Sequence, residues 1–575
     1  MLARQRLMWM LLAGVPMACL LAMWLATGGL PYNTDSNESF SAFVQGQNML
    51  KFNPWANAFL PDDATAKHAG AHPFTYTHGP NLPRYFSAAM SLLGLQSLEI
   101  QILVSAFIAT LLSVWFIAKG FPEPLPGMPG NYGITLGMLI AALFATDFIG
   151  TLQFLGNLWR AWHFPLFWGC IWAVRTRPHW IVGFTLFFLV FQLEFLFALF
   201  TAATSLVYLL LIYRSKPSTL LKKEHIALFL GAAASVLFFT GQLIAFYGWD
   251  GFLFDLKTTY VARNTNSIEW ETIRQFYEAK AIMMWPSQPN WDFRFPVFLK
   301  ASWDAMSLRV SPVLAAIVLI SLAGSILMRM ANTGALQFSG LRKVRQYFDF
   351  SNPVNDSIGP LLWAMLAAYL FLGAAIPGYT LNGYTYRWAP LLVFPVTLAV
   401  ALCISNVFGL FAHICSLPAT KIHLVELDRV KWALTATVLA VWFGVNVNNY
   451  LKHPNFLHTA AQVLSTTYKG RSFVSATTFP HMIAHYTGRW AYYTPQVFPG
   501  DKKLDQTYNW NGDRNKNVDY ETPEYYLCQK LPYYRQVDCE GIANQMVGLG
   551  HQVIERNQDY IIMKLNWTLT PSQAN

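Results

Sequence analysis

The most regular feature of this sequence is a series of long apolar runs separated by short polar segments. Six runs, near 7–30, 98–118, 226–247, 359–377, 388–412 and 432–449, are long enough to cross a lipid bilayer as helices. Shorter apolar stretches bring the predicted number of transmembrane spans to eleven, centred near 18, 107, 142, 167, 186, 205, 236, 319, 368, 400 and 440. The first run lacks a small-residue cleavage pattern and is predicted to stay as the first helix.

The composition of the 575 residues agrees with a polytopic membrane protein. Hydrophobic residues make up 54% of the chain and charged residues only 12%, about half the charged fraction of a typical soluble domain. This balance excludes a cytosolic enzyme, a coiled coil, collagen and a disordered chain.

The formal net charge of +10 is concentrated in short loops between the spans. The predicted spans place every second connecting segment on the same side of the membrane as the N-terminus. Together with the N-terminus, these segments carry 16 Lys and Arg against 6 Asp and Glu; they are 119–133, 175–179, 213–225, 329–358 and 413–431. Since positive loops stay in the cytoplasm, the N-terminus is predicted to be cytoplasmic in a cell inner membrane. The charge then reflects topology and contact with anionic lipids, and no nucleic-acid partner is expected.

The same topology divides the chain into two predicted domains. Residues 1–450 form a transmembrane module with large outer loops at 31–85 and 248–309, and residues 451–575 form a periplasmic or extracytoplasmic domain. That domain has an α/β or α+β pattern, with strands expected near 472–476 and 560–565. Cys528 and Cys539 lie within it, and in an oxidising compartment a disulfide is favoured over a redox or zinc pair.

Three acidic residues lie in or beside predicted spans, where an isolated charge is costly. Glu99 begins the second span and is interpreted as interfacial. Asp147, near the outer end of the third span, either faces an outward cavity or caps its helix. Glu194 separates two short apolar segments that form a broken or re-entrant pair, and together with Gln192 it is expected to help pack that pair.

The outer loop after the first span contains the densest group of polar residues. Asp35 and Glu38 open an amphipathic stretch that continues to residue 50. If a helix begins near Asp35, both carboxylates share its first turn just above the membrane, where an acid can accept a proton or hold a cation. A second interpretation, compatible with the first, is N-capping by Asp35 with Glu38 as its capping-box partner.

Together these motifs resemble the integral-membrane glycosyltransferases of the GT-C fold, and most closely the bacterial enzymes related to aminoarabinose transferase and the protein mannosyltransferases. The resemblance rests on the Asp-x-x-Glu helix start, on Tyr-Thr-His-Gly-Pro at 76–80 and on Gly-Tyr-Thr-Tyr-Arg-Trp-Ala-Pro at 383–390. The segments 474–480 and 486–489 are similar to the opening of the family's C-terminal periplasmic domain. Relatives commonly carry adjacent acids, so it stays open which of Asp35 and Glu38 is the catalytic carboxylate; the position relative to the first span favours Asp35.

The resemblance implies transfer of a hexosyl or pentosyl group from a polyprenyl-phosphate donor to a glycan, lipid or protein acceptor at the outer face. Asp35 would be the general base, with Glu38 assisting it or binding a cation. Arg387, with Tyr384 or Tyr386, would neutralise the donor phosphate; an interfacial Arg in an aromatic belt is the alternative.

Further residues are weaker candidates for the same cavity. Arg263 and Lys257 in the mid-chain loop are secondary phosphate partners, and Asp147 is a third candidate for substrate binding. His78 is also a candidate there, and together with His72 and Glu38 it could hold a divalent metal. No cofactor is otherwise indicated, and histidines in a Pro-rich loop also have structural roles.

Two other classes of protein remain possible on this sequence. A transporter or flippase of a lipid or glycan would use Asp147 and Glu194 as coupling sites, although no inverted repeat supports it. A non-catalytic membrane scaffold is the second rival. An outer pocket lined by Asp35 and Arg387 would distinguish the enzyme from both.

Overall fold

The computed structural model describes much of the predicted transmembrane module, 1–450, and much of the predicted C-terminal domain, 451–575. The described segments are 36–51, 58–61, 80–125, 135–146, 155–263, 353–375, 389–416, 457–475, 480–489, 491–493, 523–529, 538–548 and 550–566, with a few residues between 9 and 22, at 55 and between 437 and 444. Within some helices only the backbone is described, as in most of 254–263.

The described part of the chain is mainly helical. In chain order its helices are α1 (Ser36–Lys51), α2 (Leu82–Leu92), α3 (Leu98–Gly120), α4 (Leu136–Thr146), α5 (His163–Thr176), α6 (Trp180–Leu193), α7 (Phe195–Tyr213), α8 (Lys223–Arg263), α9 (Pro353–Ala375), α10 (Val393–Ser416), α11 (Leu457–Thr466), α12 (Pro480–Thr487) and α13 (Cys539–Gly548). Short 3₁₀ turns precede α5, α8 and α10, at Arg160–Trp162, Pro217–Leu221 and Ala389–Leu392.

Three of the described helices are long and apolar enough to cross a membrane: Leu98–Gly120, Phe195–Tyr213 and the Lys223–Leu253 part of α8. Shorter apolar helices lie at Ala13–Ala22, Leu136–Ala145, Trp180–Leu193, Ile358–Gly373 and Val393–Asn406. These helices coincide with predicted spans. The predicted span near 319 lies outside the described residues, as does most of the one near 440, so the count of eleven stays a prediction.

Helix α3 shows how these helices are adapted to lipid. Its buried side carries small polar residues, and the Thr110 and Ser113 hydroxyls donate to backbone oxygens one turn earlier, at 2.7 and 2.6 Å. Its exposed side carries Phe107, Leu111 and Trp115. Polar groups turn inward and large apolar groups turn outward, which is the arrangement that suits a helix surrounded by lipid.

Close packing of α6 against α8 depends on two glycines. A Cβ on Gly231 would overlap the backbone carbonyl of Phe184, and a Cβ on Gly183 would lie 2.7 Å from a Leu228 methyl group. Small residues at such contacts let helix backbones approach one another, which favours association in lipid. Further along, α8 is kinked at Gly248, whose φ of 72° is left-handed, so the helix changes direction where the sequence predicts the outer loop to begin.

The C-terminal residues form a five-stranded mixed sheet in the order β2-β1-β3-β5-β4. Its strands are β1 (Phe473–Ser475), β2 (Ala491–Tyr493), β3 (Tyr525–Gln529), β4 (Gln552–Arg556) and β5 (Tyr560–Lys564). β1 runs parallel to β2 and β3, whereas β5 is antiparallel to both β3 and β4. Strands were predicted near 472–476 and 560–565, and β1 and β5 confirm both.

A disulfide links β3 to the start of α13. It joins Cys528 and Cys539, whose Cα atoms are 5.6 Å apart, and it confirms the predicted pairing. Cys170 in α5 and Cys403 in α10 are buried and are not part of a disulfide.

Candidate functional site

The candidate site is centred on α1, which begins at Ser36, immediately after Asp35. A helix start near Asp35 was predicted, and α1 confirms it. The sequence indicates one apolar face, yet α1 is buried nearly all round, because α2, α3 and α12 pack against it. A Cβ on Gly46 would lie 2.8 Å from the side chain of Ser87 in α2, so glycine at this position lets the two helices touch.

The first turn of α1 is held by a buried ion pair. The Glu38 carboxylate accepts hydrogen bonds from Arg160 Nε at 2.7 Å and from its terminal nitrogen at 3.4 Å. The two side chains are only 12% and 7% exposed. A bidentate, charge-assisted contact of this kind fixes the orientation of both groups. It joins the start of α1 to a segment more than a hundred residues away in sequence.

Arg160 lies on a short turn whose shape the local sequence explains. The Asn157 side-chain oxygen accepts from the backbone N–H groups of Trp159 and Arg160, at 2.9 and 3.1 Å, as asparagine commonly does at the start of a turn. The backbone N–H of Leu158 donates to Ser39 Oγ at 2.9 Å. The turn is therefore attached to α1 through both Glu38 and Ser39.

The chain of polar contacts continues from this turn to the break between α6 and α7. His163 Nδ1 lies 3.1 Å from the backbone oxygen of Arg160, and His163 Nε2 lies 2.9 Å from a carboxylate oxygen of Glu194. Glu194 is the one residue between Leu193 and Phe195 and has extended backbone angles. The broken pair predicted from sequence is therefore present.

The role predicted for Glu194 differs from the role observed. Sequence reasoning assigned Glu194 and Gln192 to packing α6 and α7 against one another. Instead, Gln192 donates to the Ser235 hydroxyl and carbonyl oxygens on α8, at 2.8 and 3.0 Å, and Glu194 contacts His163 on α5. Helices α5 and α8 both pack against α6 beside this break, and they supply the partners of the two side chains.

A second buried arginine fixes the segment that enters α2. Arg84 has no solvent exposure, donates to the side chain of Gln45 in α1, and donates to Pro80 O and Asn81 Oδ1 at 2.9 and 3.1 Å. Its guanidinium also lies over the Trp159 ring, 4.6 Å from the centroid. Arg84 thus connects α1, α2 and the Arg160 turn in one place.

Helix α12, in the C-terminal part of the chain, also packs against α1. The ring centroids of Phe40 and Tyr486 are 5.5 Å apart, and those of Phe43 and His485 are 5.4 Å apart, both in edge-on geometry. Gln45 Nε2 lies 3.4 Å from His481 Nε2. Helix α1 is therefore enclosed between the transmembrane helices and α12 of the C-terminal domain. Burial at this contact lowers the pKa of His485, because the charged imidazolium loses its hydration there.

Several hydrogen-bond donors around the Arg160 turn have no partner among the described residues. They are the indole N–H groups of Trp159 and Trp162 and the Asn81 side-chain amide, all buried. Buried donors without acceptors are costly. Beside two buried arginines, they form an environment suited to an anionic or oxygen-rich ligand.

The predicted site residues are described to different extents. Glu38 lies in the ion pair above, and Lys257 and Arg263 lie in the last part of α8, after the kink at Gly248, where only the backbone is described. Glu99 is half-buried in the first turn of α3 and accepts a hydrogen bond from Ser97 Oγ at 2.6 Å. Residues of the predicted site that lie outside the described residues are Asp35, His72, His78, Asp147, Tyr384, Tyr386 and Arg387.

Three central residues of this cluster were missed by sequence reasoning: Arg84, Arg160 and His163. Arg84 falls within the outer loop predicted at 31–85, and Arg160 falls between the predicted spans near 142 and 167. The available signal was the density of Trp, Arg and His at 159–163 between two apolar runs, since charged residues there need partners inside the protein. Within the described residues no group of three His, Cys, Asp or Glu is placed to hold a metal ion.

Comparison with known proteins gives a structural likeness without a family match. No family model and no curated protein matches this sequence. The chain is similar in structure to ArnT from Cupriavidus metallidurans, a GT-C aminoarabinose transferase, in two crystal structures. The apo structure has a TM-score of 0.43 and 9% identity over 92% of this chain and 94% of that one. The structure bound to undecaprenyl phosphate has a TM-score of 0.44 and 11% identity over 92% and 93%.

Proposed function

We propose that this protein is a membrane glycosyltransferase that moves a sugar from a polyprenyl-phosphate donor to an acceptor at the outer face of the membrane. One observation carries the proposal. The buried Glu38–Arg160 pair fixes the first turn of α1 directly after Asp35, in a place enclosed by transmembrane helices and by the C-terminal domain. A general base needs a fixed position close to its substrate and an environment from which water is largely excluded.

In this proposal Asp35 is the general base that takes the proton of the acceptor hydroxyl. Glu38, one helical turn further, orients the start of α1 through Arg160. A cation bound by Glu38 would have to compete with that guanidinium, so the proposed role of Glu38 is in the pair and not in a metal site. No step of the proposed reaction depends on a metal at His72 and His78.

The phosphate of the donor needs positive charge and N–H donors at the same face. Arg387, with Tyr384 and Tyr386, is the proposed partner, and Lys257 and Arg263 follow the kink at Gly248 on the outer part of α8. The buried N–H groups of Trp159 and Trp162 add neutral donors close to α1. Asp147 and His78 remain candidates for contacts to the sugar.

The proposed orientation places α1 and the C-terminal domain outside the cytoplasm of a cell inner membrane. The Cys528–Cys539 disulfide supports it, because disulfides persist in oxidising compartments and are rare in the cytosol. The basic loops 175–179 and 213–225 then lie in the cytoplasm, as the rule for positive loops predicts. The acceptor is proposed only as a class: a glycan, a lipid or a protein with a free hydroxyl group.

The test is transfer by purified variants from a polyprenyl-phosphate sugar. Asp35→Asn keeps the size of the side chain and its capping ability but cannot accept the proton, so turnover should fall by about a hundredfold or more. Arg387→Ala should raise the donor KM as well as lower turnover. Glu99→Gln, which alters a half-buried carboxylate bound to Ser97, is the matched control and should leave transfer unchanged.

Thermal melts of each variant separate loss of function from loss of fold. Near-normal transfer by Asp35→Asn would move the role of base to Glu38, and normal transfer by Glu38→Gln as well would remove the proposed mechanism.

A transporter remains the second candidate because of one feature, the helix break at Glu194. Unwound segments with ionisable residues are typical of substrate and ion sites in transporters. Uptake of labelled glycolipid by reconstituted vesicles, measured with wild type and Glu194→Gln, would test it. Transport without sugar transfer would replace the enzyme proposal.

A further inference from the structure

His163 and Glu194 form a buried contact whose hydrogen bonds determine how many protons the two side chains hold. The proposed mechanism does not use this contact. His163 is the first residue of α5, its side chain is 3% exposed, and both ring nitrogens have oxygen partners. One partner is the backbone carbonyl of Arg160 and the other is the Glu194 carboxyl group. A carbonyl oxygen can only accept, so Nδ1 has to carry a hydrogen.

Two arrangements satisfy both contacts. Either His163 is an imidazolium that donates from both nitrogens to an ionised Glu194, or a protonated Glu194 donates to the bare Nε2 of a neutral ring. Both contain the same number of protons and leave the pair with no net charge. A neutral ring with an ionised carboxylate would place two acceptors 2.9 Å apart with no hydrogen between them, which is unfavourable.

The position of Glu194 supports a specific role for the contact. Glu194 occupies the N-cap position of α7, where Ser, Thr, Asp or Asn is the usual residue, and its side chain makes no capping hydrogen bond there. Its carboxyl group is used for His163 instead. The His163 ring is also packed against the Phe197 ring, 4.3 Å between centroids, so the imidazole is fixed on two sides.

The His163–Glu194 pair is connected through Arg160 to the first turn of α1, which follows the candidate base Asp35 in sequence. The Arg160 carbonyl is held by His163, and the Arg160 guanidinium holds Glu38 in the first turn of α1. This series of contacts includes three charged residues: Glu194 at the helix break, Arg160 on the turn and Glu38 on α1. Removing the proton from the pair would leave two acceptors facing each other and would displace the turn that carries Arg160.

We infer that His163 and Glu194 share one proton and act as a positioning pair, which sets the Arg160 turn and through it the start of α1. The inference rests on the proposed function for its effect on transfer, but the proton itself and the coupling to Glu38 are testable without any activity. Both residues are positioning residues, since neither is placed against a reacting atom.

The proton is tested on the full-length protein in lipid nanodiscs, at neutral pH. Nitrogen-15 spectra of labelled histidine, compared with those of His163→Ala, should show two N–H groups on the His163 ring. Alternatively, they should show one N–H group together with an infrared carboxylic-acid band that disappears in Glu194→Gln. A ring with one N–H beside an ionised Glu194 would overturn the inference.

Coupling is tested by combining substitutions and measuring melting temperature. If His163 acts through Arg160 on Glu38, His163→Ala combined with Glu38→Gln should lower the melting temperature little more than the more damaging single change. The matched control is Gln192→Ala, which removes a buried side chain on the same break that bonds to α8; its effect should add to that of Glu38→Gln. Additive effects of His163→Ala and Glu38→Gln would contradict the proposed connection.

Transfer assays give the third measurement. His163→Ala and Glu194→Ala should lower turnover by about tenfold or more with little change in donor KM, because a displaced base affects the chemical step. Glu194→Gln should retain most activity, since its amide can donate to a neutral His163 ring and keep the geometry. Equal loss in Glu194→Gln and Glu194→Ala would refute the positioning role, whereas absence of transfer in the wild type would refute the proposed function and leave the first two measurements valid.

Discussion

Replacing Glu38 by Gln removes one charge from the ion pair that holds the first turn of α1. Gln keeps the length of the side chain and one oxygen that can accept from Arg160. What is lost is the negative charge that compensates a guanidinium with only 7% side-chain exposure. The perturbation therefore isolates the electrostatic part of the contact from its shape.

The loss of stability expected for Glu38→Gln follows from the burial of the Glu38–Arg160 ion pair. Removing one partner of a buried ion pair typically costs about 3 to 5 kcal/mol, because the remaining charge stays buried without compensation. Glu38 is 12% exposed and Gln can still form one hydrogen bond, so the lower end, about 3 kcal/mol, is expected for Glu38→Gln. Replacing both residues, as Glu38→Leu with Arg160→Met, removes both buried charges and should recover stability to within about 1 kcal/mol of the wild type.

The assay measures the melting temperatures of the purified variants in one detergent and compares them with the wild type. Transfer activity is measured on the same samples. The matched control is Glu524→Gln, which breaks the Arg471–Glu524 pair, where the side chains are 53% and 39% exposed. An exposed pair contributes less than about 1 kcal/mol, so this variant should melt close to the wild type. The double variant should be stable but inactive, because α1 would be held without a fixed orientation of its first turn.

Two results would refute the reasoning. If Glu38→Gln melts as close to the wild type as Glu524→Gln, the Glu38–Arg160 pair does not hold α1. If the stable double variant transfers sugar normally, the pair has a structural role only and does not orient the candidate base.

Other predictions concern the contacts around this site. Non-reducing peptide mapping should recover Cys528 linked to Cys539, and the double Ser variant should lose about 2 to 4 kcal/mol of stability in the C-terminal domain, whereas free thiols would contradict the outer location. Gly46→Ala should cost about 1 to 3 kcal/mol by forcing α1 and α2 apart, whereas Gly241→Ala, with open space at its Cβ, should melt like the wild type or slightly higher. Because burial lowers the pKa of His485, the unfolded chain binds more protons there, and stability should fall as the pH decreases below about 6.5. Melts of His485→Gln should show a weaker dependence on pH; an equal dependence would assign the effect to another group.

Local features of this protein could be predicted from the sequence because each depends on residues close together in the chain. Helix α1 begins after Asp35, α3 covers the second apolar run, and β1 and β5 lie where short alternating segments were found. The Cys528–Cys539 disulfide also joins residues that are near in sequence. Periodicity, helix-start residues and turn residues determine such elements, whatever the rest of the chain does.

The partners of the charged residues could not be predicted in the same way. Glu38 was recognised as an acid in a first helical turn, but its partner Arg160 is separated from it by 122 positions. Glu194 was recognised at a helix break, but the direction of its side chain toward His163 depends on how α5 packs beside that break. Sequence shows which groups need compensation in a membrane protein, and only the packing of helices against one another decides which opposite charge comes within hydrogen-bond distance.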